Sequence, residues 1–252
     1  MSEFDNGVSA ITGNPGLGRL LRGIEKESLR ITPNGTLSPL PHPEGLGSAL
    51  RHPFITTDFS EAQLELITGI SQSADDCIDE LTNIHRVIYK EIGEELLWGA
   101  SMPCILDNDT NIPIGYYGSS NIGRAKTVYR NGLGNRYGKL MQTISGIHYN
   151  FSLPETLWPA IAVAKGQHLD QGFQDQSYFH LIRNFRRYSW LLIYLFGASP
   201  AVCTSFIRNR EHDLRALDEH SLYLPDATSL RMGPLGYQSG AQSDLHVSYN
   251  SL

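Results

Sequence analysis

An α+β fold is predicted by three strand-like segments, residues 22–31, 55–67 and 147–153, interspersed with two stretches of helical period, 74–98 and 177–196. The strand segments carry most of the groups that could do chemistry: Glu25, Glu27, Asp58, Glu61, Glu65 and His148. With 252 residues, 40% of them hydrophobic, the chain can bury one sizeable core or two small ones, and its composition is ordinary for a soluble globular protein.

Asn14-Pro15-Gly16 is a turn signal leading into a short predicted helix, Leu17 to Arg22. In the strand that follows, Glu25 and Glu27 are two residues apart and so point the same way, and Thr32-Pro33-Asn34-Gly35 ends the run as a turn. The Pro- and Gly-rich residues 38–47 read as a loop. In the next strand, β-branched Ile55-Thr56-Thr57 is followed by Glu61, Gln63 and Glu65 alternating with Ala62, Leu64 and Leu66, so three polar side chains line one face. A helix would also bring Glu61 and Glu65 together, but it would scatter Ala62, Leu64, Leu66 and Ile67 around its cylinder, so the strand is preferred.

Ser73-Ala74-Asp75-Asp76 has capping-box spacing, and Ile78, Leu81, Ile84, Ile88 and Ile92 follow at helical intervals to about Trp98, giving a helix that covers the sheet. Residues 102–117 have no clear period, and 122–143 is helical only in part because Gly132, Gly134 and Gly138 oppose it. Ile147 to Leu153 alternates most cleanly of all. Ser177 to Phe196 reads as a long helix stopped by Gly197 and Pro200, with its last turns buried. Residues 208–219 are charged and loop-like, 227–231 form a short segment, and 245–249 alternate like a strand with no terminator, which suggests a chain ending partway through a domain.

The net charge of -6, from 20 basic and 26 acidic residues, gives no cationic field for nucleic acid. Cys77, Cys104 and Cys203 are too few and too widely spaced for a disulfide framework or a zinc site. No basic segment followed by an apolar run opens the chain, and the apolar stretch 190–196 is too short to span a bilayer, so a cytoplasmic protein without a membrane partner is expected.

Several carboxylates gathered in one cleft raise one another's pKa unless cations neutralise them. An oxygen-rich set with one imidazole suits Mg²⁺ or Mn²⁺ better than zinc, and Mg²⁺ commonly joins carboxylates to nucleotide phosphates. On general grounds an isolated Glu-x-Glu is more often the solvated face of a sheet, a lone His148 more often a hydrogen-bonding residue, and Glu61 the acid most readily left on the surface. Between Asp109 and Glu155 there is no acid, while Arg124, Lys126, Arg130, Arg136 and Lys139 all occur, interleaved with Tyr116, Tyr117, Tyr129 and Tyr137. This run is either a phosphate- or carboxylate-binding face or a solvated helix surface. Gly16-Leu17-Gly18 lacks the third glycine of a dinucleotide fingerprint, and neither a P-loop nor a nucleophile motif occurs.

Arg22-Gly-Ile-Glu-Lys-Glu-Ser-Leu-Arg-Ile31, Ile55-Thr-Thr-Asp-Phe-Ser-Glu-Ala-Gln-Leu-Glu-Leu-Ile-Thr68, Ser101-Met-Pro-Cys104, Tyr117-Gly-Ser-Ser-Asn-Ile-Gly123, the run from Arg136 to Pro154, Leu195-Phe-Gly-Ala-Ser-Pro200 and Tyr223 to Arg231 together resemble the bacterial type 1 glutamate–cysteine ligases. The resemblance runs nearly end to end. It implies a glutamine-synthetase-like fold, an antiparallel sheet curled into a funnel with covering helices, which holds ATP and Mg²⁺ (Mn²⁺ being possible). It implies ATP-dependent joining of L-cysteine to the γ-carboxylate of L-glutamate through a γ-glutamyl phosphate, the first step of glutathione synthesis, by a monomer with no nucleic-acid partner.

By the same resemblance Glu25, Glu27, Asp58, Glu65 and His148 are metal ligands, and Arg231 is the catalytic arginine that holds glutamate. Phe59, Tyr129, Leu133, Gln142 and Tyr237 form the cysteine pocket, with Ile144 meeting substrate through its backbone; Glu61 matches no ligand. Members of the family continue past position 252, where a further metal-binding glutamate and much of the adenine pocket lie, so residues 1–252 are expected to be an incomplete catalytic domain. The alternatives are a related carboxylate–amine ligase using another amine and an inactive truncated form.

Overall fold

The structure is a computed structural model, which describes residues 12–103, 105–106, 111–197, 199–207, 211–230 and 235. Asn14 caps a 3-10 turn, Pro15–Arg19, accepting from the Gly16 amide at 2.8 Å. The predicted helix to Arg22 is cut short because the central strand, β1 (Leu21–Ile31), has already begun.

The segment 55–67 is two strands and not one: β2 (Ile55–Thr57) and β3 (Gln63–Ile67) form an antiparallel hairpin. The Asp58 amide donates to the Gln63 carbonyl at 3.0 Å and the Gln63 amide to the Ser60 carbonyl at 2.9 Å, closing the connection. Alternation holds only from Gln63 onward, so Glu61 leaves the strand face and Asp58 is carried on a turn.

β3 lies along one edge of β1. β4 (Leu96–Leu97) and β5 (Ile147–Ser152) follow one another along its other edge, both antiparallel. The α+β class is as expected; among the described residues the sheet, in the order β2-β3-β1-β4 with β5 also on β1, stays open and does not close into a funnel.

Helix α1 (Ala74–Glu91) starts where the capping box put it, the Ser73 hydroxyl accepting from the Asp76 amide at 3.3 Å. It ends before the predicted Trp98 because Gly93 takes φ +61° and the chain turns into β4. Ile84, Ile88 and the following Ile92 pack on Leu46, Ile55, Leu64 and Leu66, so α1 covers the sheet as expected. On the opposite side Leu29 and Ile31 enter a second core with Met102, Leu106, Met141, Ile144, Phe206 and Leu230. A fully buried aliphatic side chain contributes ~1.5–3 kcal/mol.

Helix α2 (Asn121–Tyr137) runs through Gly132 and Gly134 and stops at Gly138, whose φ is +83°. Gly123 is required at its start, since a Cβ there would lie 2.3 Å from the Tyr117 carbonyl oxygen. A short 3-10 turn, Leu140–Thr143, leads toward β5. Trp158 of α3 (Trp158–Ala164) packs against Phe173 and Tyr178 of α4 (Gln171–Phe196).

The last turns of α4 were expected to be buried and are not: Tyr194 is 68% and Phe196 78% exposed. Helical period marks an apolar face but not whether anything covers it, and here only the first turns meet the third core of Leu157, Trp158 and Ile161. The charged region 208–219 supplies β7 (Arg215–Ala216), which joins β6 (Ala201–Cys203) and β8 (Ser221–Tyr223) in a small sheet ordered β6-β8-β7. The strand expected at 245–249 lies outside the described residues. Among those described, no helix is long and apolar enough to cross a membrane.

Two outcomes are expected. Leu64→Ala, at a site without solvent exposure, lowers stability by ~2–5 kcal/mol in urea unfolding. Light scattering from the purified chain rises with concentration through the bare end of α4, and Leu192→Lys with Leu195→Lys suppresses that rise while changing stability by no more than about 0.5 kcal/mol.

Candidate active site

Strand register assembles the acids. Glu25 stands directly across from His148 of β5, and Glu27 directly across from Glu65 of β3. Period-two alternation puts all four on one face. Asp58 reaches them from the β2–β3 turn. Glu27, Asp58 and His148, with Phe59, Tyr129, Arg130, Leu133, Gln142 and Ile144, line a cavity of about 280 Å³. All of these but Arg130 coincide with residues that the resemblance marks as substrate or metal contacts. Glu25 and Glu65 flank the cavity, the former beside His148 and the latter within electrostatic reach of Asp58 and Glu25. Arg231 and Tyr237 lie outside the described residues.

The acids are held by specific donors. Asn150 Nδ2 donates to Glu25 Oε1 at 2.8 Å, and His148 Nδ1 lies 3.3 Å from Glu25 Oε2. The Gly146 amide donates to Glu27 Oε2 at 2.6 Å, while the Glu27 amide donates to the Gly146 carbonyl at 3.0 Å. His148 Nε2 is 3.8 Å from Glu27 Oε1. The Asn150 hydrogen bond, aided by His148, holds the Glu25 carboxyl below its usual range. Burial, then the charges of Asp58 and Glu25, push Glu65 up. Opposite shifts in neighbouring acids mark a cluster with more negative charge than its own donors neutralise.

In kind the donor set fits a hard divalent cation: four carboxylates and one imidazole around one cavity. In position the ligating atoms stand apart. Among the described residues no three His, Cys, Asp or Glu side chains form a group that could hold a metal ion, and Asn150 and Gly146 each bond one carboxylate oxygen, of Glu25 and Glu27 respectively.

Glu61 is buried rather than on the surface. Its carboxylate accepts from the amides of His42, at 2.7 Å, and Tyr116, which replace the water it lost. It is a structural acid that ties two loops together. The basic run divides. Arg124 and Arg136 are exposed, whereas Arg130 enters the cavity wall with its guanidinium 4.5 Å from the centre of the Tyr117 ring. Sequence reasoning named Arg130 only within that run. It did not single out Asn150, although the strand period places it on the face of His148, two residues away.

Carboxylates and one guanidinium around a cavity of amino-acid size define an enzyme-like site on an open antiparallel sheet. That fold has solved counterparts among ligases. The crystal structure of glutamate–cysteine ligase from Francisella tularensis in complex with AMP superposes with a TM-score of 0.84 at 44% identity, over 92% of this chain and 45% of that one. A bifunctional glutathione synthetase from Pasteurella multocida gives 0.78 at 31% identity, over 100% of this chain and 31% of that one.

The sequence profile of the glutamate-cysteine ligase family matches residues 8–252, and the chain belongs to that family. It is 58% identical to the glutamate–cysteine ligase of Alcanivorax borkumensis over 94% of this chain and 45% of that protein. With the enzyme of Saccharophagus degradans it shares 55% identity over 99% of this chain and 48% of that protein. The chain thus spans about half the length of these relatives.

The raised pKa of Glu65 fixes the sign of one pH effect. Between the ordinary carboxylate value and the raised one the folded state keeps a proton that the unfolded state has lost, so stability falls as pH rises through that window. The depressed pKa of Glu25 acts oppositely and lower, its contribution being lost as pH falls through the folded value. Glu65→Gln in chelator-treated protein is expected to remove the first slope and to gain ~0.2–1 kcal/mol near neutrality, the size of a like-charge cross-strand pair, as read by thermal melts across the acid range.

Proposed function

We propose that this chain carries the metal- and cysteine-binding part of an ATP- and Mg²⁺-dependent glutamate–cysteine ligase, which joins cysteine to the γ-carboxylate of glutamate through a γ-glutamyl phosphate at the first step of glutathione synthesis. The observation that carries this reading is the single cavity in which Glu27, Asp58 and His148 meet Phe59, Tyr129, Leu133, Gln142 and Ile144. Family membership and the AMP named with the Francisella structure support nucleotide use.

In this reading Glu25, Glu27, Asp58, Glu65 and His148 hold the divalent ions, Mg²⁺ or alternatively Mn²⁺, and Arg231 holds glutamate. Bound there, the cation would neutralise charge developing on a transferring phosphoryl group. The protein's own residues orient and enclose. Phe59, Leu133 and Ile144 exclude water from the side of the cavity that takes a small thiol side chain, and Tyr129 and Gln142 offer polar groups to an amino acid. Asn150 and the Gly146 amide orient Glu25 and Glu27 by bonding one carboxylate oxygen of each.

Residues 1–252 are proposed to be an incomplete catalytic domain. The remaining half of the relatives' length would complete the funnel and the adenine pocket, and the full-length enzyme would act as a cytoplasmic monomer.

Phosphate release from ATP and glutamate, in a chain of the relatives' full length, tests the reading: cysteine should support turnover and other small amines should not. Equal rates with an amine lacking the thiol would replace it with a different carboxylate–amine ligase. In the same assay Glu27→Gln should cost about 10²–10³-fold or more in rate with melting behaviour retained; a wild-type rate would remove the metal assignment.

A further inference from the structure

The turn that carries Asp58 is gripped from outside by two residues of the α2 region. Tyr117 is buried, at 4% exposure. Its hydroxyl donates to the Thr57 carbonyl, at 2.7 Å, or to the Asp58 carbonyl, at 3.2 Å, and accepts from the Thr57 hydroxyl at 2.8 Å. Arg130 approaches the same two carbonyls from the adjoining helix: Nε donates to that of Asp58 and Nη2 to that of Thr57 at 3.4 Å. Its guanidinium lies on the Tyr117 ring, 4.5 Å from the centroid, with Lys126 Nζ at 5.1 Å. A hydroxyl and a guanidinium thus hold one pair of carbonyls and stack on each other, and Arg130 at the same time forms cavity wall.

We infer that Tyr117 is a positioning residue of the cavity: its hydroxyl, with the Arg130 guanidinium laid across its ring, clamps the β2–β3 turn and so sets where the Asp58 carboxylate stands relative to Glu27 and Glu65. This deepens the metal-site reading and rests on it for its functional consequence, but the clamp is testable by itself. The Asp58 amide, bonded to the Gln63 carbonyl at 3.0 Å, reports the closure of the turn. The Thr68 amide, bonded to the Ile24 carbonyl at 2.9 Å just past the end of β3, reports the β3–β1 pairing at the end away from the turn.

Tyr117→Phe keeps the ring and removes the hydroxyl. By amide hydrogen exchange on the 252-residue chain, it should speed Asp58 about tenfold, the equivalent of one hydrogen bond, and leave Thr68 unchanged. Unchanged exchange at Asp58, or equal acceleration at Thr68, overturns the clamp. Thr57→Val, which spares the hydroxyl's bonds to the carbonyls, should leave Asp58 exchange within about twofold of wild type; a full tenfold effect there would transfer the role to Thr57 and overturn the assignment to Tyr117.

Titration with Mn²⁺, followed by the free-ion electron paramagnetic resonance signal, reads the consequence: Tyr117→Phe should bind about five- to tenfold more weakly than wild type, in step with the lost hydrogen bond. Wild-type protein of the relatives' full length that takes up no Mn²⁺ would refute the metal reading, while the exchange measurement would still decide the clamp.

Discussion

Electrostatic crowding on one face of β1 and β3 is the constraint around which this molecule is arranged. Glu27 and Glu65 face each other across paired strands, Glu25 is two residues away, and Asp58 adds a fourth carboxylate from the turn. A sheet built only for stability would not place like charges opposite one another. The opposed shifts of Glu25 and Glu65 register the same conflict, with hydrogen bonds favouring ionisation of one acid while burial and neighbouring charge resist it in the other. Such conflict persists where the surrounding structure is strong enough to impose it.

That strength comes from packing on both sides of the sheet. Leu64 and Leu66 of β3 are fixed under α1, while Leu29 and Ile31 of β1 anchor the other core just beyond the acids. Arg30 points away from the cavity. Fully buried, it bonds Glu95 at 2.5 Å and the carbonyls of Leu40, Pro41 and Glu61. Removing one member of such a buried set would leave a charge without its partner, so strand and loops are committed to one arrangement. Glu61 has the same role on the hairpin, bonded to two backbone amides.

Much of this was legible in the sequence, and where it was not the reason is physical. Two-residue alternation located β3 and β5 and placed Glu65 and His148, and the two-residue spacing of Glu25 and Glu27 put both on one face of β1, because side chains on strands have no choice of face. Alternation does not announce a hairpin turn made without Gly or Pro: Asp58-Phe59-Ser60-Glu61-Ala62 closes through its own backbone and the Ser60 hydroxyl, which accepts from the Ala62 amide at 3.2 Å. Gly132 and Gly134 argued against a helix that tertiary contacts sustain. The exposure of α4 was misjudged because periodicity describes a helix and not its neighbours. Glu61 was misplaced because a carboxylate is buried or exposed according to which amides reach it, here those of His42 and Tyr116, 19 and 55 residues away. Arg130 was hidden among exposed cations of the same helix.

β5 bonds to β1 along one margin, and among the described residues its other margin has no partner strand. A ladder secured on one side opens at lower free energy than one secured on both. Glu25 and Glu27 sit on a strand bonded along both margins, to β3 on one side and to β5 and the Gly146 carbonyl on the other, whereas the described bonds of His148 and Asn150 run to β1 alone. The two flanks of the cavity are thus anchored unequally among the described residues: a ladder on each side fixes the carboxylates of β1, while the imidazole depends on the one ladder that sets His148 against Glu25.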